Sequence, residues 1–157
     1  MSATRKAPMP RLARVAADED HQLVVTWAEG DREGRTETVD LAPLIFTLRF
    51  YRPLRENLEL FKTVRLIDNG TAIAWGDGEI DMAATSVERL AEESMTNQDF
   101  RDWMSANKLS YSTTSAALGI SRRMVAYYAK DTPIPRYIAL ACQGYEAKRQ
   151  NVWALPD

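Results

Sequence analysis

Residues 112–130 constrain the fold more than any other stretch, because a glycine there separates two short runs of helix-forming residues. A helix that ends at Leu118 must be followed by a residue that tolerates positive φ, and Gly119 does so without steric cost. Ser121 stands where the N-cap of a second helix belongs, since its hydroxyl can accept a hydrogen bond from an unpaired helix amide. The stretch therefore predicts two short helices joined by a tight turn.

The apolar spacing around this glycine predicts which face of the second helix is buried. Leu118 before the glycine, and Val125 and Tyr128 after it, can close a small apolar seam between the two helices. This is the arrangement of a helix-turn-helix, whose second helix enters the major groove of DNA. The residues predicted to lie on its outer face and to contact DNA are Ser121, Arg122, Arg123, Ala126, Tyr127 and Lys130.

Two of these, Arg122 and Arg123, are the strongest candidates for reading bases. Arginine can donate two parallel hydrogen bonds to O6 and N7 of guanine, and it also anchors phosphates. Ser121 could donate to a phosphate at the positive end of the helix. Tyr127, one turn further on, could contact a base methyl group or the DNA backbone. For each residue the alternative interpretation is an ordinary solvated helix face.

The segment SAALGISRRMVAYYAKDTPIPRYIALA resembles the helix-turn-helix of the lambda-repressor/Cro-like DNA-binding superfamily. The resemblance covers roughly residues 96–149 and consists of the L-G-I-S turn, an apolar residue six positions after the glycine, and a P-I-P break before a further helix. Thr114 departs from the pattern, because a bulky apolar residue is usual there. The resemblance implies an all-α domain that binds double-stranded DNA.

A homodimer is expected because a single helix-turn-helix is small. One helix-turn-helix contacts only a few base pairs, so specificity generally requires two half-sites about 34 Å apart. We therefore expect a homodimer on a pseudo-palindromic operator.

The first half of the chain predicts strands and short helices. Residues 21–27 and 35–39 are rich in strand-forming residues and flank a charged loop. Residues 63–68 and 71–75 flank Asn69-Gly70, the strongest short-range signal of a tight hairpin.

Helices are expected at two places in this half. Residues 41–48 are apolar enough for a short buried helix, with Asp40 as its cap. Thr85 and Glu88 have the spacing of a capping box that opens a helix ending near residue 93. Short helices are thus expected to pack on the sheet of this half.

This half also resembles a bacterial family of small domains of unknown function. The resemblance rests on V-D-L-x-P-L at residues 39–44, an aromatic segment ending in P-L at 50–54, F-x-x-V at 61–64, and a Trp-Gly-Asp turn at 75–81. It implies no established activity.

Together these features predict the fold class and the domain organisation. The class is α+β, with a strand-rich N-terminal domain carrying short helices, followed by an all-α lambda-repressor-like helix-turn-helix domain. The predicted segments are a flexible tail at residues 1–10, an α+β domain at 11–95 and a helix-turn-helix domain at 96–157.

Charge divides the chain in the same way. The formal net charge is −2, but residues 1–95 hold 12 Lys and Arg against 17 Asp and Glu, whereas residues 96–157 hold 8 against 5. The acidic half should be repelled by DNA phosphate, so it is expected to face away from the duplex and to self-associate or bind a protein partner.

Several kinds of chemistry are not supported by the sequence. One cysteine, Cys142, and one histidine, His21, cannot build a zinc site. Asp77, Glu79 and Asp81 alternate, but no glutamate completes a calcium loop. There is no phosphate-binding glycine loop and no nucleophile elbow. No enzyme activity, metal or other cofactor is therefore expected.

The sequence also predicts where the protein is located and what it does. No apolar run approaches the ~20 residues of a membrane helix, and the first residues do not resemble a secretory signal, so no membrane association and a cytoplasmic location are expected. The favoured function is sequence-specific transcriptional regulation. The alternative is a protein–protein interaction module, an antitoxin-like partner binder without DNA contact.

Overall fold

The computed structural model describes residues 8–154, with side chains described for residues 8–150. The chain divides into two compact units, one that ends at Glu92 and one that begins at Glu93. The expected flexible tail falls mostly on residues 1–7, which lie outside the described residues, while Pro10 is buried. No helix within the described residues is long and apolar enough to cross a bilayer.

Two antiparallel sheets of three strands each form the framework of the first unit. The strands are β1 Arg11–Ala17, β2 Gln22–Glu29, β3 Thr36–Asp40, β4 Arg65–Ile67, β5 Ala72–Trp75 and β6 Ile80–Ala83. The first sheet has the order β1-β2-β3 and the second the order β4-β5-β6. In β2, Leu23, Val25 and Trp27 are buried and alternate with more exposed residues, which is the two-residue period of a half-buried strand.

A single apolar cluster receives side chains from both sheets and from the short helices between them. Trp75 of β5 stacks on Phe61 with ring centroids 6.0 Å apart, and Tyr51 meets the same tryptophan edge-on at 6.4 Å. The helices of this unit are α1 Ala42–Ile45, α2 Leu58–Phe61 and α3 Ala84–Glu92, with 3-10 turns at Arg49–Leu54 and Asp68–Gly70.

The second unit contains only helices among its described residues. Thr96 caps α4 in the expected way: its hydroxyl accepts from the Asp99 N–H at 3.0 Å, and the Asp99 carboxylate accepts from the Thr96 N–H at 3.0 Å. The helices are α4 Asn97–Ala106, α5 Tyr111–Leu118, α6 Arg122–Lys130 and α7 Arg136–Ala154.

The predicted fold class is corrected by the strand arrangement. We expected a strand-rich N-terminal domain with short helices on one sheet, followed by an all-α lambda-repressor-like domain. Instead, strands occupy the N-terminal and the middle parts of the chain as two separate sheets, with helices both between and after them. The fold is α+β, but helix content does not assign α4–α7 to the lambda-repressor class.

The hairpin expected around Asn69-Gly70 is formed, but the prediction of a tight turn is wrong. β4 and β5 pair from Ile67 to Ala72, and the four residues between them form a wider turn. Asp68, Asn69 and Gly70 have φ values of 51°, 58° and 84°. Packing explains the difference, because a Cβ on Gly70 would lie 2.2 Å from the carbonyl oxygen of Leu12 in β1.

The expected capping box at Thr85 is not formed either. α3 begins one residue earlier, at Ala84, so Thr85 lies inside the helix. The Ala84 N–H instead donates to the Thr71 carbonyl at 2.8 Å, which satisfies one of the unpaired amides at the start of the helix. The helix itself was expected, and it ends at Glu92.

Two glycines with nearly the same φ allow the cost of close packing at Gly70 to be measured. Gly70→Ala should lower the free energy of unfolding by about 3 kcal/mol, because it adds a backbone clash to the strain of positive φ. Gly34 has φ of 85° and open space within 4 Å of its Cβ position. Gly34→Ala should therefore cost only about 1 kcal/mol. Urea denaturation of both variants tests this, and equal losses would contradict it.

Candidate nucleic-acid interface

The second unit is built around one apolar cluster to which all four helices contribute. The helical spacing of Phe100, Trp103 and Met104 gives α4 its buried stripe, and Val125 and Tyr128 give α6 its own. The Phe100 ring stacks near that of Trp103 at 5.9 Å and meets Tyr128 edge-on at 6.1 Å. α6 is thus anchored to α4 through its inner face.

The turn between α5 and α6 has the conformation that the glycine predicts. Gly119 has φ of 71° and ψ of 30°, and its N–H donates to the Ser115 carbonyl at 2.9 Å. The Ser115 hydroxyl in turn donates to the Ile120 carbonyl. Only three residues separate the last residue of α5 from the first of α6. These bonds fix the direction in which α6 leaves the turn.

The first turn of α6 is capped as expected. The Ser121 hydroxyl accepts from the Met124 N–H at 3.1 Å, which satisfies one of the unpaired amides at the helix start. The hydroxyl proton of Ser121 remains available to a ligand, because accepting a bond does not use it. The side chain of Ser121 is exposed.

Two side chains of α4 hold the last turn of α6. The Asn97 amide donates to the carbonyls of Tyr128 at 2.8 Å and Thr132 at 2.7 Å. The Arg101 guanidinium donates to the Ala129 carbonyl at 2.5 Å. The Tyr128 and Ala129 carbonyls lie in the last turn of α6, where the end of a helix leaves carbonyls unpaired, and a cation near them is also favoured by the helix dipole.

Sequence reasoning missed the role of Asn97 and Arg101. Their spacing of four residues places them on one face of α4, and the partners are about 30 residues further along the chain. The only available signal was a pair of hydrogen-bonding side chains on the same helical face.

The structure places most of the predicted contact residues together on the outer face of α6. Arg122, Arg123 and Lys130 are exposed, and Tyr127 is 46% exposed, whereas Ala126 is half-buried. Contact of these residues with DNA stays a prediction.

Neither Arg122 nor Arg123 forms an ion pair or a hydrogen bond through its guanidinium with any described residue. Arg136 of α7 behaves differently, because its guanidinium pairs with Glu93 at 2.6 Å. The charges at the start of α6 are therefore not neutralised within the part of the unit that the structure describes.

The segment that leads into α6 and forms it carries mostly positive charge. From residue 103 to residue 130 the chain carries four cations, Lys108, Arg122, Arg123 and Lys130, and no carboxylate, while Asp131 caps the far end of α6. A positive field of this kind at the start of the helix attracts phosphate at long range and makes binding depend on salt.

Two buried groups of this unit bear on its stability and reactivity. Thr114 of α5 is fully buried, and its hydroxyl has no hydrogen-bond partner in the described residues. Burial, with a smaller contribution from Glu146, raises the pKa of the Cys142 thiol to about 12. Within the described residues no group of three or more His, Cys, Asp or Glu side chains could hold a metal ion.

Comparison with known proteins gives one informative relative. The chain is 34% identical to a solved structure described as a putative DNA binding protein, NE0471 from Nitrosomonas europaea, over 93% of this chain and 92% of that one, with a TM-score of 0.46. The chain belongs to the NE0471 family.

The other comparisons found nothing. No family model matches the chain, and no curated protein matches it. The resemblances to the lambda-repressor-like superfamily and to the family of unknown function are therefore not supported by a family model.

The unpaired hydroxyl of Thr114 gives a prediction about the second unit. Thr114→Val keeps the shape of the side chain and removes a buried polar group without a partner, so it should raise the free energy of unfolding by about 1 kcal/mol. Its neighbour provides the control. The Thr113 hydroxyl accepts from the Ser110 N–H at 2.7 Å in the capping box of α5, so Thr113→Val should destabilise the unit by about 1 kcal/mol. Thermal denaturation measures both changes, and a destabilised Thr114→Val variant would mean that the hydroxyl has a partner.

Proposed function

We propose that this protein binds double-stranded DNA through the outer face of α6 and acts as a sequence-specific transcriptional regulator. In this proposal α5 and α6 work as a helix-turn-helix. The observation that carries it is the pair Arg122 and Arg123, which are exposed at the first two positions of α6 and have no carboxylate partner among the described residues.

The geometry of α6 suits this role for three physical reasons. Both ends of the helix are fixed, by Ser121 at its start and by Asn97 and Arg101 at its end. Its inner face is buried, so the outer face is held in one orientation. A rigid helix loses little conformational entropy when it enters a groove, and this favours recognition of a particular sequence.

Each exposed side chain of α6 has a role in the proposal. Arg122 and Arg123 read guanine edges or anchor phosphates, and Ser121 donates its free hydroxyl proton to a phosphate. Tyr127 contacts a base methyl group or the backbone, and Lys130 contacts a phosphate. Ala126 is small enough to let the helix approach the base edges closely.

The protein-interaction alternative would be favoured by carboxylates beside these arginines. No ion pair joins Arg122 or Arg123 to a described carboxylate, so DNA is the preferred partner. DNA is also named in the description of NE0471, although the proposal rests on the geometry of α6. We propose that the chain acts by binding, without catalysis or a cofactor, in the cytoplasm.

The arginines provide the direct test of this function. Arg122→Ala or Arg123→Ala should weaken binding to a specific duplex by about 1–3 kcal/mol if the side chain reads a guanine. Lys148→Ala is the matched control, because Lys148 is an exposed cation of α7 in the same unit and outside α6. Fluorescence anisotropy against duplexes selected from a random library, at several salt concentrations, gives the affinities. If no duplex binds better than random DNA at low salt, the proposal is wrong.

The second test concerns assembly. We propose that the chain binds as a homodimer, since two half-sites about one helical turn apart are needed for useful specificity. Sedimentation equilibrium at tens of micromolar protein, with and without the selected duplex, should show two chains per duplex. The selected sequences should also be pseudo-palindromic. A monomer under both conditions would contradict this part of the proposal.

A further inference from the structure

Three large apolar side chains lie exposed in a short stretch of the first unit. Phe46, Leu48 and Phe50 are 54%, 45% and 54% exposed. They follow α1 and run into the 3-10 turn Arg49–Leu54, and together we name them the apolar ridge. Side chains of this size cost free energy when they remain in water, and exposed apolar groups of this kind commonly mark a binding surface.

The ridge is held in place by contacts beneath it. The Arg55 guanidinium donates to the carbonyls of Ile45 at 2.6 Å and Leu48 at 3.2 Å, and it lies 6.0 Å from the centroid of the Phe46 ring. The His21 ring meets Phe46 edge-on at 5.0 Å. A surface that is already ordered pays little entropy when a partner docks.

The segment that carries the ridge is basic, unlike the unit as a whole. Residues 41–55 contain three arginines and no carboxylate, with Asp40 and Glu56 at the two flanks, whereas residues 1–95 carry five more acidic than basic residues. Arg49 and Arg52 are exposed, and their guanidinium groups form no hydrogen bond or ion pair with a described residue. A pocket of about 480 Å³ opens beside them, and its lining residues are Arg52, Pro53, Arg55, Glu56 and Asn57.

We propose that the apolar ridge docks an acidic amphipathic peptide segment of another protein. Apolar side chains of the segment pack on Phe46, Leu48 and Phe50, and its carboxylates pair with Arg49 and Arg52. An arginine can hold a carboxylate through two parallel hydrogen bonds, so these two residues supply orientation as well as attraction. Burial of the ridge supplies most of the affinity.

A second copy of the chain fits this surface less well. A two-fold dimer through the ridge would bring Arg49 and Arg52 of both protomers into one interface. Like charges brought together in this way disfavour the contact. A partner that carries carboxylates has no such penalty.

Nucleic acid also fits less well. Arginine and phenylalanine can hold a single strand when the rings stack on bases, but Leu48, between the two phenylalanines, offers no ring for stacking. The acidic excess of the surrounding unit also repels a polyanion. A short peptide with a few carboxylates can place them at the arginines alone.

The test is a selection with the full-length protein and a displayed library of random 16-residue peptides. Enriched peptides should combine Asp or Glu with Leu, Phe or Trp. Affinity of the best synthetic peptide, measured by anisotropy, should fall at least tenfold in Phe50→Ser and in the double variant Arg49→Glu, Arg52→Glu. Both sites are exposed, and circular dichroism checks that the variants fold.

Matched controls lie elsewhere in the same unit. Met9→Ser removes an apolar side chain that is 68% exposed, and Arg14→Glu reverses an exposed charge of β1. Both should bind the peptide within twofold of the unmodified chain. The affinity of the ridge variants for duplex DNA is measured separately. Docking of the peptide does not depend on DNA binding, so it should be observed even if the proposed function is wrong.

Four results would overturn the inference. The first is no enrichment, or enrichment of peptides without acidic and apolar residues. The second is a selected peptide whose affinity is unchanged in the ridge variants. The third is self-association that is lost in Phe50→Ser, which would make a second copy the occupant. The fourth is binding of a 20-nucleotide oligo-dT that the ridge variants abolish, which would make it a nucleic-acid surface.

Discussion

The orientation of α6 depends on the hydrogen bonds that Asn97 and Arg101 donate to its last carbonyls. The end of any helix leaves carbonyls without partners, and here α4 supplies them from side chains on its own surface. The buried ring of Tyr128 adds apolar contact between the same two helices. The outer face of α6, with Arg122 and Arg123, is therefore presented by a rigid pair of helices and not by a single flexible one.

Features set by neighbouring residues could be predicted from the sequence. Gly119 adopts the left-handed conformation that a helix end favours, and Ser121 and Thr96 cap the helices that follow them. Each of these outcomes depends on atoms within four residues, so the sequence alone contains the physical reason. The exposed face of α6 follows in the same way from the burial of Val125 and Tyr128 at helical spacing.

Features set by residues far apart in the chain could not be predicted from the sequence. Asn69-Gly70 has the local signal of a tight hairpin, but close packing of Gly70 on the Leu12 carbonyl selects a wider turn. The separation of the strands into two sheets depends likewise on pairing that no local pattern records. Asn97 and its partners are also far apart in the chain, so the sequence did not reveal that Asn97 positions α6. The residues on the exposed face of α6 were predicted, because the helical spacing is local.

The burial of Cys142 has a consequence for how the protein responds to its chemical surroundings. With a thiol pKa of about 12, almost no thiolate is present at neutral pH, and the thiolate is the form that reacts with oxidants and alkylating reagents. Since the chain has no other cysteine, thiol oxidation should affect its helical unit little. The same inertness makes the chain a suitable host for a single introduced cysteine, so that a fluorophore can be attached at one chosen position without first removing a native thiol.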